Sequence, residues 1–187
     1  MTIDEIFLRL SEHMLNGVMA HESFATYYDF LGLKGYKQCH EYHFLKELSS
    51  YRTVCKYYTN HYSKIIPKYT FSNPEIIPEA WYNHTREEVS ANDLQNAVRD
   101  GLMKWAKWER DTKHFYEEMY SEALDIKEIA TANLIMCLIE DVDCELKKVE
   151  RYVLEKKATN YNLSDIIYEQ KAKHDKYKKK RSHIFYE

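Results

Sequence analysis

Apolar residues near the N-terminus recur at alternating steps of three and four: Ile3, Phe7, Leu10, Met14, Gly17 with Val18, His21, Phe24, Tyr28 and Leu31. That spacing sets one side chain per turn on a single face, and predicts one long amphipathic helix over residues 3–32. Gly32 and Gly35 bracket the next few residues and supply the backbone freedom a tight reversal needs. A second periodic stretch, residues 36–65, runs through Phe44, Leu48, Tyr51, Cys55, Tyr58 and Tyr62. The two helices should fold back on each other as an antiparallel hairpin.

The periodicity collapses between residues 66 and 89, where all three prolines (Pro67, Pro74, Pro78) fall together with Ser72, Asn73 and Asn83. Helices that merely turn back on a neighbour need only ~2–8 connecting residues. This segment is long enough to travel the length of a helix, so the third helix can begin where the second began. Its aromatic residues Tyr69, Phe71, Trp81 and Tyr82 predict a crossover packed on the bundle, with a short helix after Pro78.

A third helix, residues 90–124, follows an N-cap at Ser90 or Asn92 with Asp93 behind it, and presents Leu94, Val98, Gly101 with Leu102, Trp105, Glu109, Thr112, Tyr116, Met119 and Ala123. A fourth, residues 126–156, is expected to be capped by Asp125. Its first row is Ile129, Asn133, Met136 with Cys137, Glu140, Cys144, Lys147 and Arg151, and its second is Leu134, Leu138, Val142, Leu146, Val149 and Val153. Two such rows imply burial on more than one side or a subunit contact, and a homo-oligomer is expected. Residues 160–187 form a basic C-terminal segment with a short helix from Asn162 or Ser164, and Phe185 and Tyr186 suggest that its end docks. The layout is an all-α bundle of two hairpins joined by a long crossover, a single helical domain over residues 1–187.

Composition narrows the alternatives. With 4 glycines and 3 prolines in 187 residues, a turn-rich sandwich, barrel or Rossmann unit lacks its raw material. Mean hydropathy is −0.67, and no run approaches the ~18 apolar residues of a membrane span. Asp4 and Glu5 stand where a secretory signal would be basic, so a cytoplasmic protein with no membrane partner is expected. Cys39, Cys55, Cys137 and Cys144 are too dispersed for a zinc ribbon or redox pair and read as buried small hydrophobes. The net charge is −3, yet residues 171–181 carry +6. That run, with Lys178, Lys179, Lys180 and Arg181 at its end, has the composition of a nucleic-acid grip, but it is short and reads more simply as a solvated helix end.

The chemistry lies in ionisable residues at inward positions, since burying a charge without a partner is costly. His21 falls on the first helix's stripe with Glu22 beside it, and His40, Glu41, His43 and Glu47 crowd the start of the second. Glu109 and Glu140 lie on the third and fourth, level with each other if the hairpin reverses near residues 124 and 125. Carboxylates from Glu22, Glu47, Glu109 and Glu140, with imidazoles from His21 and His40, are the donor set that a pair of iron or manganese ions takes between helices. The ordinary alternatives are a hydrogen-bonded core histidine at 21, exposed histidines at 40 and 43, and carboxyl groups held by some of the seventeen tyrosine hydroxyls. Nothing has the pattern of a nucleophile with its base, a phosphate loop or a dinucleotide fingerprint.

Two long hairpins, a lengthwise crossover and inward Glu and His give residues 3–156 a resemblance to the ferritin-like superfamily. The stretch YYDFLGLKGYKQCHEYHFLKEL, with an aromatic helix end, a Lys-Gly turn and a leading His40-Glu41 pair, resembles the Dps branch more locally. The resemblance implies a ferritin-like four-helix bundle with a short C-terminal helix, iron binding and a ferroxidase-type oxidation of iron. In some Dps proteins a lysine-rich tail holds DNA. The sequence departs from the family at the ligands. The Glu-x-x-His pair of ferritins is missing, because Glu41 is followed at that spacing by Phe44, Glu47 by Ser50, Glu109 by Thr112 and Glu140 by Asp143. In the Dps pattern the acidic ligand after His40 is Phe44, and Tyr28 and Asp29 replace an earlier histidine and tryptophan. The second reading is therefore a metal-free bundle that acts as an interaction or scaffold protein.

Overall fold

The structure is a computed structural model that describes residues 1–66, 76–78 and 83–184, with side chains through residue 180. The chain forms α1 (Ile3–Phe30), α2 (Lys34–Tyr62), a 3-10 turn (Arg86–Glu88), α3 (Ala91–Asp125), α4 (Ile129–Ala158) and α5 (Leu163–Ile184). Helix α1 starts in a capping box, with the Thr2 hydroxyl accepting from the Glu5 amide and the Glu5 carboxylate accepting from the Thr2 amide at 2.7 Å. Ser90 and Asp93 repeat the device at α3. The first reversal needs a left-handed residue and has it in Gly32, at φ 74°, with the Leu33 amide donating back to Tyr28 at 2.8 Å.

Helices α1 and α2 pair along their length, as do α3 and α4. The third helix begins at the end of the bundle where α2 begins. Tyr28, near the α1–α2 turn, donates its hydroxyl to the carbonyl of Ala97 near the start of α3, whereas Tyr62 at the end of α2 meets Glu128 and Thr131 at the α3–α4 turn. Tyr69, Phe71, Trp81, Tyr82, Phe185 and Tyr186 lie outside the described residues, as does most of the helix expected after Pro78.

Two apolar clusters fill the bundle, one per half. One gathers Phe24, Tyr28, Leu33, Tyr36, Val98, Leu102 and Trp105, and the other Phe7, Leu10, Met14, Tyr58, Tyr116, Met119 and Ile135. Polar residues of mid-bundle separate them.

The fourth helix differs from the sequence reading. Its second row supplies the inward side through Val142, Leu146 and Val149, while Asn133, Cys137, Glu140, Cys144, Lys147 and Arg151 face solvent. Desolvation decides between the rows, because the first carries Glu140, Lys147 and Arg151 and the second is aliphatic throughout. Of the cysteines only Cys39 is fully buried, Cys55 is half-buried, and Cys137 and Cys144 are exposed. Asp125 ends α3 rather than capping α4, and the reversal falls at Ile126, Lys127 and Glu128, with Lys127 at φ 63°.

Helix α5 returns along α2 and is held by more than its charge. Ile166 and Tyr177 are buried in the first apolar cluster. Lys173 lies buried over the Tyr152 ring at 3.7 Å and pairs with Glu169 at 3.1 Å, and Lys156 and the Tyr36 hydroxyl close on the same carboxylate. The approach is so close at Gly35 that an added Cβ would overlap the backbone carbonyl of Gln170. Gly35→Ala is expected to destabilise the fold by ~1–3 kcal/mol and to expose residues 163–184 to limited proteolysis before the rest of the chain, as mass spectrometry of the fragments would record.

Candidate functional site

The mid-bundle layer has two parts. In the first, His21 of α1 and His40 and His43 of α2 cluster around Trp105 of α3, all four nearly inaccessible. Trp105 meets His40 and His43 at ring separations of 4.8 and 4.9 Å, and His21 Nδ1 lies 3.0 Å from His40 Nδ1. A contact between two ring nitrogens needs one protonated and one bare, so neutral imidazoles satisfy it. Burial makes them neutral: it drives His21 down to about 3 and His40 and His43 well below the ordinary histidine value. His21 Nε2 has no hydrogen-bond partner among the described residues. His13 sits between the Trp108 and Phe115 rings, bonded to Thr112 at 2.9 Å, and burial lowers it to about 4.

In the second part, Glu47 of α2 and Glu109 of α3 border a cavity of about 30 Å³, with room for about one or two waters, also lined by Lys46, Ser50, Thr112, Tyr116, Asp141 and Glu145. The Trp105 indole donates to Glu109 at 2.7 Å. Burial raises Glu109 to about 8, and the nearby Glu47 carboxylate adds to it. Burial likewise raises Glu47 to about 7, against the pull of the Lys46 ammonium. Glu145 behaves oppositely: despite its burial, Lys46 and Lys148, each at 3.0 Å, hold it below the ordinary range.

Of the sequence-derived candidates, the structure brings Glu47 and Glu109 to one cavity and His21 and His40 to one cluster. Glu22 is exposed, turned outward by the one-residue step from inward His21. Glu140 is exposed as well. Because the reversal centres on Lys127 rather than residues 124 and 125, the α4 residue level with Glu109 is Glu145, which also faces inward. His40 and His43, beside a turn, are buried because α5 and Trp105 cover them. Sequence reading missed Lys46, Glu145 and His13. A later reversal would have pointed to Glu145, and the chain offers no comparable signal for the other two. Lys178, Lys179 and Lys180 are exposed, with Lys180 over the Tyr42 ring at 5.3 Å, and the Arg181 side chain lies outside the described residues.

The chain resembles the open-pore ferritin of the hyperthermophilic archaeon Archaeoglobus fulgidus, with 15% identity, a TM-score of 0.74, and coverage of 91% of this chain and 93% of that one. A form of the same ferritin engineered to be closed gives the same values, and a humanized archaeal ferritin gives 14% identity, a TM-score of 0.72, and 91% and 94% coverage. The chain therefore has a ferritin-like four-helix fold. No family model and no curated protein sequence matches it.

The residues present do not fit a pair of metal ions. Among the described residues no three His, Cys, Asp or Glu side chains converge to hold one ion. On α1 the residue against Glu47 is Gly17, which offers no side chain, and Ser50 stands one turn after Glu47. Glu145 is taken by two lysines, with His43 Nε2 4.0 Å from its other oxygen, and His21 bonds to His40.

These groups set the pH dependence of stability. The four histidines, at positions 13, 21, 40 and 43, bind protons more weakly folded than unfolded, so their contribution is complete above the unfolded value near 6.5 and is lost as pH falls from there through the lowered folded values. Glu47 and Glu109 do the reverse: their protonated forms favour the fold, and that contribution is lost as pH rises through about 7 and 8. The melting temperature should peak near pH 6.5. Glu109→Gln, which keeps the acceptor for Trp105, should melt several degrees above the wild type at pH 9 and close to it at pH 5, as differential scanning calorimetry would measure.

Proposed function

We propose that this protein is a ferritin-like bundle that works by association with copies of itself, its interior neutralised by its own side chains and protons rather than by a metal pair. The observation that carries this reading is the engagement of the potential donors with one another: His21 with His40, and Glu145 with Lys46 and Lys148. No described helix is long and apolar enough to cross a membrane. A cytoplasmic setting, where four free thiols stay reduced, goes with the proposal.

The surface suited to association lies between α3 and α4. A groove of about 760 Å³ is lined by Met103, Ala106, Val153 and Leu154, with Met103 56% and Leu154 67% exposed. Charges of both signs rim it and are paired within the chain: Arg110 of α3 reaches Glu150 of α4 at 3.1 Å, and Lys107 pairs with Asp111. A two-fold axis along the groove would lay α3 of each copy over α4 of the other and cover the exposed Met103 and Leu154 side chains of both.

The competing reading is iron or manganese bound between Glu47 and Glu109, with ferroxidase activity. The raised carboxyl groups favour it, because a cation would take the place of their protons. Elemental analysis after growth in iron- and manganese-supplemented medium separates the two. Less than ~0.1 metal per chain is expected, and a stoichiometric metal lost in Glu47→Ala/Glu109→Ala would replace association by metal binding as the function.

Light scattering on a sizing column should find an oligomer in the wild type and a monomer in Met103→Glu/Leu154→Glu. The melting temperature of the double variant should stay within a few degrees of the wild type, because both side chains are exposed. A monomeric wild type at ~100 μM would end the association reading.

A further inference from the structure

We infer that a cavity between the last turns of α1 and the first half of α3 is a binding site for a small primary alkylammonium ion. The cavity measures about 130 Å³ and is walled by Phe24 and Tyr27 of α1 and by one face of α3, with Ile76 and Pro78 of the crossover beside it. A cavity of ~150 Å³ takes a molecule as large as benzene, so this one has room for about five or six non-hydrogen atoms.

Tyr27 is the residue that points to a ligand. It is only 7% exposed and lines the cavity, yet its hydroxyl makes no hydrogen bond among the described residues, although a phenol withdrawn from water ordinarily keeps a partner. Its neighbour Tyr28 has one, in the Ala97 carbonyl. Around Tyr27, α3 presents Asp93, Asn96 and Asp100 at steps of four and three residues, on one face. Asp93 uses Oδ2 for the Ser90 cap, and Asp100, exposed at the rim, uses Oδ1 for Arg99, so each keeps one carboxylate oxygen. The Asn96 amide makes no hydrogen bond among the described residues, and the Lys104 ammonium donates to the Ile76 carbonyl at 2.9 Å.

The lining is therefore rich in oxygen acceptors and poor in free donors. A primary ammonium, with three N–H groups on one positive nitrogen, matches such a set, whereas an anionic ligand would meet the two aspartates. Phe24, Ala97, Ile76 and Pro78 make the rest of the wall apolar, which suits a short alkyl chain. Burial, with the charges of Asp100 and Asp93 adding to it, raises the phenol to about 12, so its oxygen accepts as a neutral hydroxyl.

The test is titration calorimetry of the full chain with n-butylamine hydrochloride at pH 7.5 in ~0.15 M NaCl, which screens isolated surface carboxylates. One ion per chain should bind with a dissociation constant of ~1 mM or below. Sodium butyrate and n-butanol keep the chain and change the head group, and should bind at least ~10-fold more weakly. Tyr27→Phe removes only an unbonded hydroxyl, so it should melt within ~2 °C of the wild type and still lose ~5–10-fold in affinity. Asp93→Asn/Asp100→Asn, which keeps an oxygen for the cap, should weaken binding further, whereas Glu117→Gln, far along α3, should bind as the wild type does. Absence of saturable n-butylammonium binding, equal binding of n-butanol, or unchanged affinity in Tyr27→Phe overturns the site, and each leaves the association of copies untouched.

Discussion

The structure depends on neutralising a polar layer set between two apolar half-cores. Glu47, Glu109 and Glu145 come from three helices to the height where the clusters around Tyr28 and Phe7 meet. Carboxylates withdrawn from water repel one another in a medium that screens poorly, so each must be matched by a cation, a donor or a proton. Here all three are used: Lys46 and Lys148 for Glu145, the Trp105 indole for Glu109, and protons for the raised carboxyl groups of Glu47 and Glu109. The histidine cluster one level away is neutral for the same reason, with burial removing its charge.

A ferritin-like bundle brings side chains from separate helices to one height, a geometry that suits a metal pair when each helix contributes a donor. In this chain α1 contributes Gly17 beside Glu47, and α2 follows Glu47 with Ser50. The bundle keeps the geometry without the full donor set, and the remaining acids are balanced internally. On the α3–α4 side, Met103 and Leu154 are large, exposed and line one groove with Ala106 and Val153, and that apolar surface is what the association proposal draws on.

Helix α5 shows how a charge run can mislead. The lysines of residues 171–181 suggest solvated positions, and Lys178 to Lys180 conform to that. Lys173 instead lies buried on Tyr152, joined to Glu169, with Ile166 and Tyr177 carrying the helix into the first core. Its long aliphatic stem suits the aromatic surface while its ammonium keeps an ionic partner.

The sequence by itself determined the helices, their pairing and the inward faces of α1 and α3, because the step of three and four residues needs only local geometry to be read. Stripe positions from Phe7 to Tyr28 and from Val98 to Ala123 are buried as that spacing requires. It also offered Glu47 and Glu109 as inward carboxyl groups, but on the same spacing it offered Glu22 and Glu140, which face solvent. Tertiary structure decided the rest. Which row of α4 turns inward depends on what it packs against, and which of its acids stands level with Glu109 depends on a reversal displaced toward Lys127, so Glu145 rather than Glu140 joins the layer. What balances Glu145 depends on where the Lys46 ammonium ends, and that position exists only once α2 and α4 are brought together.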